Sequence, residues 1–169
     1  LTCSACNTAD YTVTETYKIS NGQIVCLKIR DKIYSIETHL IGKFNVYNLV
    51  EAVATCDTLS IDMDTIIVAI KNMGSILGRC NRYLIHGREI IIDFAHTPDS
   101  IDKILDTIYD FYKKELVVVF GAVGYSDKDK RKNMGESVSK YSNKIIITSD
   151  NPGNTSFMDI CNDILLGVS

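Results

Sequence analysis

Short runs of β-branched residues alternate with segments of helical periodicity in the second half of the chain, and no other feature constrains the fold as much. The three apolar runs cover residues 89–94, 116–120 and 144–148. Runs this short and this apolar are typical of strands that a parallel sheet buries on both faces. An amphipathic helical pattern follows each run, which gives a right-handed βαβ series. The sequence therefore predicts an α/β domain built on a mostly parallel sheet.

The first forty residues alternate apolar and polar side chains with the period of β-strands. Residues 11–14 and 23–29 are β-rich segments, and residues 32–36 continue the pattern. Asn21-Gly22, between the first two of these segments, is a strong hairpin signal. We therefore expect antiparallel strands in this region.

From Asn45 onward the apolar residues recur with helical spacing. Asn45 is a candidate N-cap for the first helix, and a second helix is expected over residues 62–73, where Gly74 would end it. A few residues later the pattern changes to strand–helix alternation. We therefore expect a strand-plus-helix portion over residues 1–77 and the α/β domain over residues 78–169.

The composition excludes several classes of function. The net charge of the 169 residues is −3, which gives no electrostatic reason to expect a nucleic-acid partner. No apolar run approaches the roughly 18 residues that a membrane span requires, and the N-terminus lacks the pattern of a signal peptide. The six cysteines do not suggest a secreted disulfide framework, so a cytoplasmic location is expected. Cys3 and Cys6 have metal-ligand spacing, but no second Cys or His pair accompanies them, and no metal site is expected.

Polar residues stand where ligands bind in open α/β sheets, namely beyond the carboxyl ends of the strands. Asp93 ends the first predicted strand of the α/β domain, and a strand-end carboxylate can accept hydrogen bonds from a ribose diol. The alternative is that Asp93 only caps the next helix and that His96 is a polar surface residue. Asn45 and Asn48 lie one helical turn apart, and their amides can pair with the edge of an adenine. Helix capping by Asn45, with Asn48 on the surface, is the alternative.

The loop after the second of these strands, residues 121–131, contains two glycines and precedes a helix. Its cationic side chains are Lys128, Lys130 and Arg131. Glycines permit close approach of the backbone, and a helix N-terminus favours anions, so the loop is a candidate for binding a phosphate or a carboxylate. The alternative is a solvated loop whose two aspartates nearly neutralise its charge.

Five motifs occur in the order and approximate spacing that the Mur ligases show. They are Gly42-Lys43-Phe44-Asn45-Val46-Tyr47-Asn48, Gly78-Arg79, Asp93-Phe94-Ala95-His96-Thr97-Pro98, the segment from Phe120 to Met134, and Asp150-Asn151-Pro152. The chain thus resembles this family from residue 42 to about residue 166. Its Ala-His-Thr-Pro and Asp-Asn-Pro elements are similar to those of the UDP-N-acetylmuramyl-tripeptide synthetases, which add the third residue of the peptidoglycan stem peptide.

The resemblance implies an ATP-dependent amide-bond ligase. Such enzymes phosphorylate the terminal carboxylate of UDP-MurNAc-L-Ala-D-Glu with ATP and Mg²⁺, and a diamino acid then displaces phosphate from the acyl phosphate. By the same resemblance, residues 1–77 close the central ATP-binding domain, and residues 78–169 form an incomplete Rossmann-like C-terminal domain. The residues that the resemblance assigns to ATP are Asn45, Asn48, Arg79, Asp93 and His96. Those that it assigns to the incoming amino acid are Asp150, Asn151, Ser126 and Gly153.

Several elements of the family are missing from the chain. They are the glycine-rich P-loop, the lysine that is carbamylated to hold Mg²⁺, the N-terminal UDP-binding domain, and a late Gly-Lys-Gly-His-Glu-like segment. We therefore expect a fragment that is inactive alone, to which no catalytic residue is assigned. Its partners would be the missing N-terminal and central domains of the same protein, the UDP-MurNAc-dipeptide and a diamino acid.

Two positions bear on which amine is added. Many relatives have Asp-Arg-Asp where this chain has Tyr125-Ser126-Asp127, and the diaminopimelate-adding enzymes have Arg where it has Gly153. Loss of a bidentate arginine from a carboxylate costs about 1.5–3 kcal/mol. The resemblance therefore favours lysine, ornithine or another diamino acid over meso-diaminopimelate. The alternatives are a sister ligase of the cyanophycin synthetase type and a non-catalytic, divergent paralogue.

Overall fold

The computed structural model describes residues 2–4, 9–74, 76–125 and 127–169. The chain divides into two compact units, a first unit of Leu1–Asp93 and a second unit of Phe94–Ser169. The elements of the first unit are β1 (Cys3–Ser4), β2 (Tyr11–Ile19), β3 (Gly22–Ile29), β4 (Lys32–Thr38), α1 (Lys43–Thr58), α2 (Met63–Asn72), β5 (Asn81–Ile85) and β6 (Arg88–Ile92). Those of the second unit are α3 (Pro98–Tyr112), β7 (Val117–Phe120), α4 (Lys128–Ser139), β8 (Lys144–Ile147) and α5 (Phe157–Leu165). No helix among these residues is long and apolar enough to cross a membrane.

Strands β1 to β4 form one sheet in chain order. β1 pairs with β2 in parallel, whereas β2 with β3 and β3 with β4 are antiparallel, as the alternation of the sequence predicts. Ile19 pairs with Gly22, so two residues, Ser20 and Asn21, close the first hairpin. The hairpin signal at Asn21-Gly22 is therefore confirmed, with the turn centred one position earlier.

The core of the first unit lies between this sheet and the two helices that follow it. On β3, Val25 and Leu27 are fully buried on one face, as the two-residue period of a strand requires. The helical residues that pack into the same cluster are Val46, Leu49, Val50, Val53, Ala54 and Ile66. The apolar residues that recur with helical spacing are thus the buried face of α1 and, at Ile66, of α2.

The start of α1 differs from the expected one. Its N-cap is Gly42, with φ of 91°, a left-handed conformation that glycine adopts at little steric cost. Asn45 lies inside the first turn, buried, and its Nδ2 donates to the carbonyl oxygen of Ile41 at 2.8 Å. The prediction of Asn45 as the N-cap is therefore wrong, because a glycine begins the helix and the amide binds back to the preceding chain.

The apolar run at residues 89–94 also differs from the expectation of a buried parallel strand. β6 pairs with β5 in an antiparallel hairpin, and Ile90 and Ile92 are 44% and 51% exposed. His86 and Gly87, with φ of 49° and 74°, form a two-residue turn, and two positive φ values give a turn whose twist matches the right-handed twist of the paired strands. The sheets are consequently mixed, and the mostly parallel sheet is confirmed only in part.

The second unit contains the parallel pair that the sequence predicts, with β7 and β8 in register from Val117 with Lys144 to Phe120 with Ile147. Thr97 caps α3, and Ser100 completes a capping box with it. The buried faces of the three helices are Ile101, Ile104, Leu105 and Ile108 on α3, Met134 and Val138 on α4, and Ile160, Cys161 and Ile164 on α5. This helical layer holds the loops that follow β7 and β8.

Candidate functional site

Asn45 and Asn48 lie on the same face of α1 and contact each other. Nδ2 of Asn48 donates to Oδ1 of Asn45 at 3.3 Å. The Nδ2 of Asn45 is in turn bound to the carbonyl of Ile41. Asn48 is exposed, whereas Asn45 is buried. The amide of Asn45 is therefore engaged inside the first unit, and Asn48 is the exposed member of the pair.

Arg79 lines a cavity of about 210 Å³ in the first unit, together with Arg82 and His39. The next residue, Cys80, donates its backbone N–H to Oδ2 of Asp93 at 2.8 Å. The fold thus brings Asp93 to the chain beside Arg79, although the two residues are separated in sequence by the β5–β6 hairpin. Arg82 forms an ion pair with Glu89, and the carboxylate of Asp93 contacts the backbone of Cys80, which also lines the cavity.

The reactivity of the Cys80 thiol can be used to test whether this part of the first unit is buried in solution. Cys80 is buried, and burial raises the pKa of its thiol to about 11, with the negative charge of Asp93 adding to the shift. At pH 8 roughly one Cys80 in a thousand would be a thiolate. We expect iodoacetamide to label Cys80 at least about tenfold more slowly than the exposed Cys3 in the native protein.

Peptide mass spectrometry after timed labelling measures this difference. In denaturant the two thiols should react at similar rates, which serves as the control. Equal labelling of Cys80 and Cys3 under native conditions would mean that the thiol of Cys80 is not buried in solution.

His96 lies just before α3 in the second unit and is exposed. Its Nδ1 is 3.0 Å from the carbonyl oxygen of Phe94, and the two aromatic rings are 5.0 Å apart between centroids. A carbonyl beside Nδ1 favours the neutral tautomer that carries its proton on Nδ1. Local contacts of the backbone therefore orient the imidazole.

The cationic residues predicted to lie in a loop belong to the first turn of α4. Asp127 caps this helix, its carboxylate accepting the backbone N–H of Lys130 at 2.5 Å. The cap makes α4 begin at Lys128, earlier than the expected start at residue 131, since a side-chain acceptor satisfies one of the free N–H groups. Lys128 is exposed and Lys130 is half-buried, so both remain candidates for an anion contact.

Arg131 is directed into the second unit and is only 3% exposed. Its Nη1 forms an ion pair with Oδ2 of Asp163 at 2.7 Å. Its Nη2 donates to the carbonyl oxygen of Gly124 at 2.6 Å and to that of Val123 at 3.3 Å. The guanidinium thus joins α4, α5 and the loop after β7, and its role as an anion contact stays a prediction.

The loop after β7 (residues 121–127) and the loop after β8 (residues 148–156) are bound to each other. The backbone N–H of Gly124 donates to the carbonyl of Asn151 at 3.1 Å. Oγ1 of Thr155 donates to the carbonyl of Gly124 at 2.9 Å. A Cβ at Gly124 would collide with the carbonyl oxygen of Pro152, so only glycine allows this approach. The two loops therefore form one interlocked surface at the carboxyl ends of β7 and β8.

Asp150, Asn151 and Gly153 lie on this surface. Asp150 is half-buried, while Asn151 and Gly153 are exposed and both have left-handed backbones, with φ of 43° and 58°. Asparagine tolerates this conformation better than most residues. Among the predicted amino-acid contacts, these three are thus close in sequence and belong to one loop, and their function stays a prediction.

Two predicted residues lie outside the described part of the chain. Ser126, assigned by resemblance to the incoming amino acid, is one of them, and Cys6 of the Cys3–Cys6 pair is the other. Within residues 2–4, 9–74, 76–125 and 127–169, no cluster of three His, Cys, Asp or Glu side chains could hold a metal ion.

Asp163 and Thr155 are residues that the sequence did not single out. Asp163 is buried on α5, a helix identified only by its apolar residues, and Thr155 follows a glycine turn. An acidic residue inside an amphipathic pattern is a weak signal of a buried ion pair. The sequence identifies its partner, Arg131, only as a cationic residue that suits a phosphate or a carboxylate, so the ion pair is visible only in the fold.

The second unit places polar loops at the carboxyl ends of parallel strands, which is where open α/β sheets bind their ligands. The family model described as "Mur ligase, glutamate ligase domain" matches residues 78–168. The chain belongs to the Mur ligase family. Members of this family are ATP- and Mg²⁺-dependent ligases.

Individual relatives agree with this assignment. The chain is 34% identical to the UDP-N-acetylmuramoyl-L-alanyl-D-glutamate–2,6-diaminopimelate ligase of Synechococcus elongatus, over 99% of this chain and 34% of that protein. It is 39% identical to the corresponding ligase of Aquifex aeolicus, over 88% of this chain and 30% of that protein. The chain therefore spans about a third of the length of these relatives.

Solved structures support the same fold. A structure of a UDP-N-acetylmuramoyl-L-alanyl-D-glutamate–2,6-diaminopimelate ligase matches with a TM-score of 0.64 and 29% identity, over 96% of this chain and 34% of that one. The folylpolyglutamate synthase of Mycobacterium tuberculosis matches with a TM-score of 0.78 at 18% identity, over 94% of this chain and 37% of that one. The second likeness concerns the fold alone.

Proposed function

We propose that this chain is part of an ATP-dependent ligase that joins a diamino acid to UDP-MurNAc-L-Ala-D-Glu in the cytoplasmic stage of peptidoglycan synthesis. The observation that carries the proposal is the similarity to diaminopimelate ligases over 99% and 88% of the chain, at 34% and 39% identity. Because the chain spans only about a third of those proteins, the activity is proposed for the whole gene product.

The reaction is a transfer followed by a substitution. The carboxylate of the D-glutamyl residue attacks the γ-phosphorus of ATP, so that ADP leaves and an acyl phosphate forms. The amine of the diamino acid then attacks the acyl carbon, phosphate leaves, and the nitrogen loses a proton to give the amide. Mg²⁺ would neutralise charge on the phosphates, and we assign none of its ligands to this chain.

The first unit would contribute contacts to the adenosine part of ATP. Arg79 and Asp93 lie on joined segments, and their chemistry fits a nucleotide, since a guanidinium suits phosphate or ring contacts and a carboxylate suits a ribose diol. Asn48 is exposed and can offer its amide to an adenine edge, whereas Asn45 would orient Asn48 through their mutual hydrogen bond.

The second unit would contribute the contacts to the diamino acid. Asp150 and Asn151 stand at the carboxyl end of β8, where a carboxylate can bind an ammonium group and an amide can bind a carboxylate. Lys128 and Lys130, in the first turn of α4, add positive charge suited to a carboxylate or a phosphate. His96 would stand near the phosphate groups of ATP.

The identity of the amine is proposed from Gly153. Glycine offers no side chain to a second carboxylate at the far end of the donor, and its φ of 58° disfavours replacement by most residues. A donor with a single carboxylate, such as lysine or ornithine, needs no arginine here. We therefore favour these donors over meso-diaminopimelate.

The test is a steady-state assay of the full-length gene product with ATP, Mg²⁺, UDP-MurNAc-L-Ala-D-Glu and L-lysine or L-ornithine. We expect phosphate release that requires both the nucleotide peptide and the amine. Asp93→Asn should raise the KM for ATP about tenfold, because a charged hydrogen bond to the ribose is lost. An unchanged KM for ATP would remove Asp93 from the nucleotide site, and no phosphate release with any diamino acid would contradict the proposed function.

A further inference from the structure

We propose that Arg131 is a positioning residue that fixes the loop after β7 against the loop after β8, and thereby sets the geometry of Asp150 and Asn151 toward the diamino acid. This inference deepens the proposed function and rests on it for the identity of the ligand. It concerns Arg131, Asp163 and Thr155, none of which needs to contact a substrate.

The first step is the burial of the ion pair. Arg131 and Asp163 are 3% and 7% exposed, and their charged atoms are 2.7 Å apart. A buried arginine is costly unless its charge is paired, so Asp163 fixes where the guanidinium stands. Because Asp163 belongs to α5 and Arg131 to α4, the helical layer determines that place.

The second step is the hydrogen bonding of Arg131 to the loop after β7. Nη2 donates to the carbonyl oxygens of Gly124 and Val123, so a fixed guanidinium holds two successive peptide groups. The carbonyl of Gly124 also accepts a hydrogen bond from Oγ1 of Thr155, which lies in the other loop. Gly124 is therefore held by a helix on one side and by the loop after β8 on the other.

The third step links the position of Gly124 to the residues proposed to bind the diamino acid. The backbone N–H of Gly124 donates to the carbonyl of Asn151, and the backbone N–H of Thr155 donates to that of Pro152. Asn151 has a left-handed backbone, and the hydrogen bond from Gly124 to its carbonyl helps to hold that conformation. Displacement of Gly124 would release the hydrogen bond that holds Asn151, and with it the direction of Asp150.

The test uses two variants of the full-length gene product and one matched control. Arg131→Lys keeps the positive charge beside Asp163 but loses the hydrogen bonds from Nη2 to the carbonyl oxygens of Val123 and Gly124. Thr155→Val removes one donor to the carbonyl of Gly124 without disturbing a buried charge. We expect Arg131→Lys to raise the KM for the diamino acid roughly tenfold, and Thr155→Val to raise it severalfold, with the KM for ATP unchanged. Lys132→Met breaks an exposed ion pair with Glu136 on the same helix and should change neither constant.

A second measurement does not depend on the activity. Amide hydrogen exchange of Gly124 should become roughly tenfold faster in Arg131→Lys and severalfold faster in Thr155→Val, while Lys132→Met leaves it unchanged. Unchanged exchange at Gly124 in both variants, or equal rises in the KM for ATP and for the amine, would overturn the proposal. If the wild type uses no diamino acid, the proposed function fails, and the exchange rates still decide whether Arg131 positions the loops.

Discussion

Replacing Asp163 by alanine is expected to lower the free energy of unfolding of the second unit by about 3–5 kcal/mol, because it leaves the buried charge of Arg131 without its partner. Both residues are almost fully buried, and the ion pair is 2.7 Å long. Removal of the carboxylate leaves Nη1 of Arg131 without the acceptor that it has in the fold. Equilibrium denaturation in urea, followed by circular dichroism, measures the loss as a lower midpoint.

Two controls separate the buried pair from a generic loss of charge. Glu136→Ala also removes an ion-paired carboxylate, but Glu136 and Lys132 are about half exposed, so we expect a loss of at most about 0.5 kcal/mol. The double variant Arg131→Met, Asp163→Ala should recover part of the stability, since no charge is then stranded. Nε of Arg131 has no hydrogen-bond partner among the described residues, which makes this recovery larger. Equal effects of Asp163→Ala and Glu136→Ala would show that Asp163 is solvated.

Gly124→Ala is expected to reduce kcat/KM for the diamino acid by about 100-fold, because a shift of about 1 Å at a reacting geometry has that effect. The added methyl group would collide with the carbonyl oxygen of Pro152 and push the two loops apart. Gly124 is not among the glycines with positive φ, so alanine meets no backbone strain and the effect is steric. The free energy of unfolding should fall by about 1–3 kcal/mol from the same overpacking.

The stability control for this variant is Gly74→Ala. A Cβ at Gly74 meets nothing within 4 Å, and this glycine too has no positive φ. The free energy of unfolding should therefore change by no more than about 0.5 kcal/mol. If Gly124→Ala likewise left the free energy of unfolding unchanged and kept the wild-type kcat/KM for the diamino acid, the two loops would not contact each other in solution as they do in the structure.

Local signals in the sequence were sufficient where a few neighbouring residues determine the conformation. Thr97-Pro98-Asp99 predicts a helix start, and the structure begins α3 at Pro98 with Thr97 as its cap. Asp62 likewise caps α2, which ends at Asn72, within one residue of the expected end. The β-branched runs at 116–120 and 144–148 form the predicted parallel pair.

Two expectations differ from the structure at positions where a glycine with positive φ determines the local backbone. His86-Gly87 is a less common turn signal than Asn-Gly, so the sequence predicts a buried parallel strand after it, whereas the structure has the second strand of a hairpin there. Gly42 displaced Asn45 as the start of α1 for a similar reason, because glycine can begin a helix without a side-chain cap. In both cases a glycine with positive φ decided the local structure.

For the candidate site, the sequence predicts only which loops would carry it. The rule that ligands bind at the carboxyl ends of strands pointed to the loops after β7 and β8, and the fold joins these loops through Gly124 and Asn151. The same rule could not tell that Arg131 is directed inward, because its partner Asp163 lies on a helix that follows much later in the chain. Contacts between distant segments carry no local signature in a single sequence.

The most direct test of the proposed activity is the mass of the nucleotide product formed by the full-length gene product. UDP-MurNAc-L-Ala-D-Glu, ATP and Mg²⁺ would be incubated with equal amounts of L-lysine, L-ornithine and meso-diaminopimelate. We predict a product heavier by one lysine or ornithine residue, formed with one phosphate released per amide bond. A diaminopimelate product would agree with the proposed ligase activity but contradict the preference for lysine or ornithine that we infer from Gly153. The absence of an amide product with any of the three amines would contradict the proposed function.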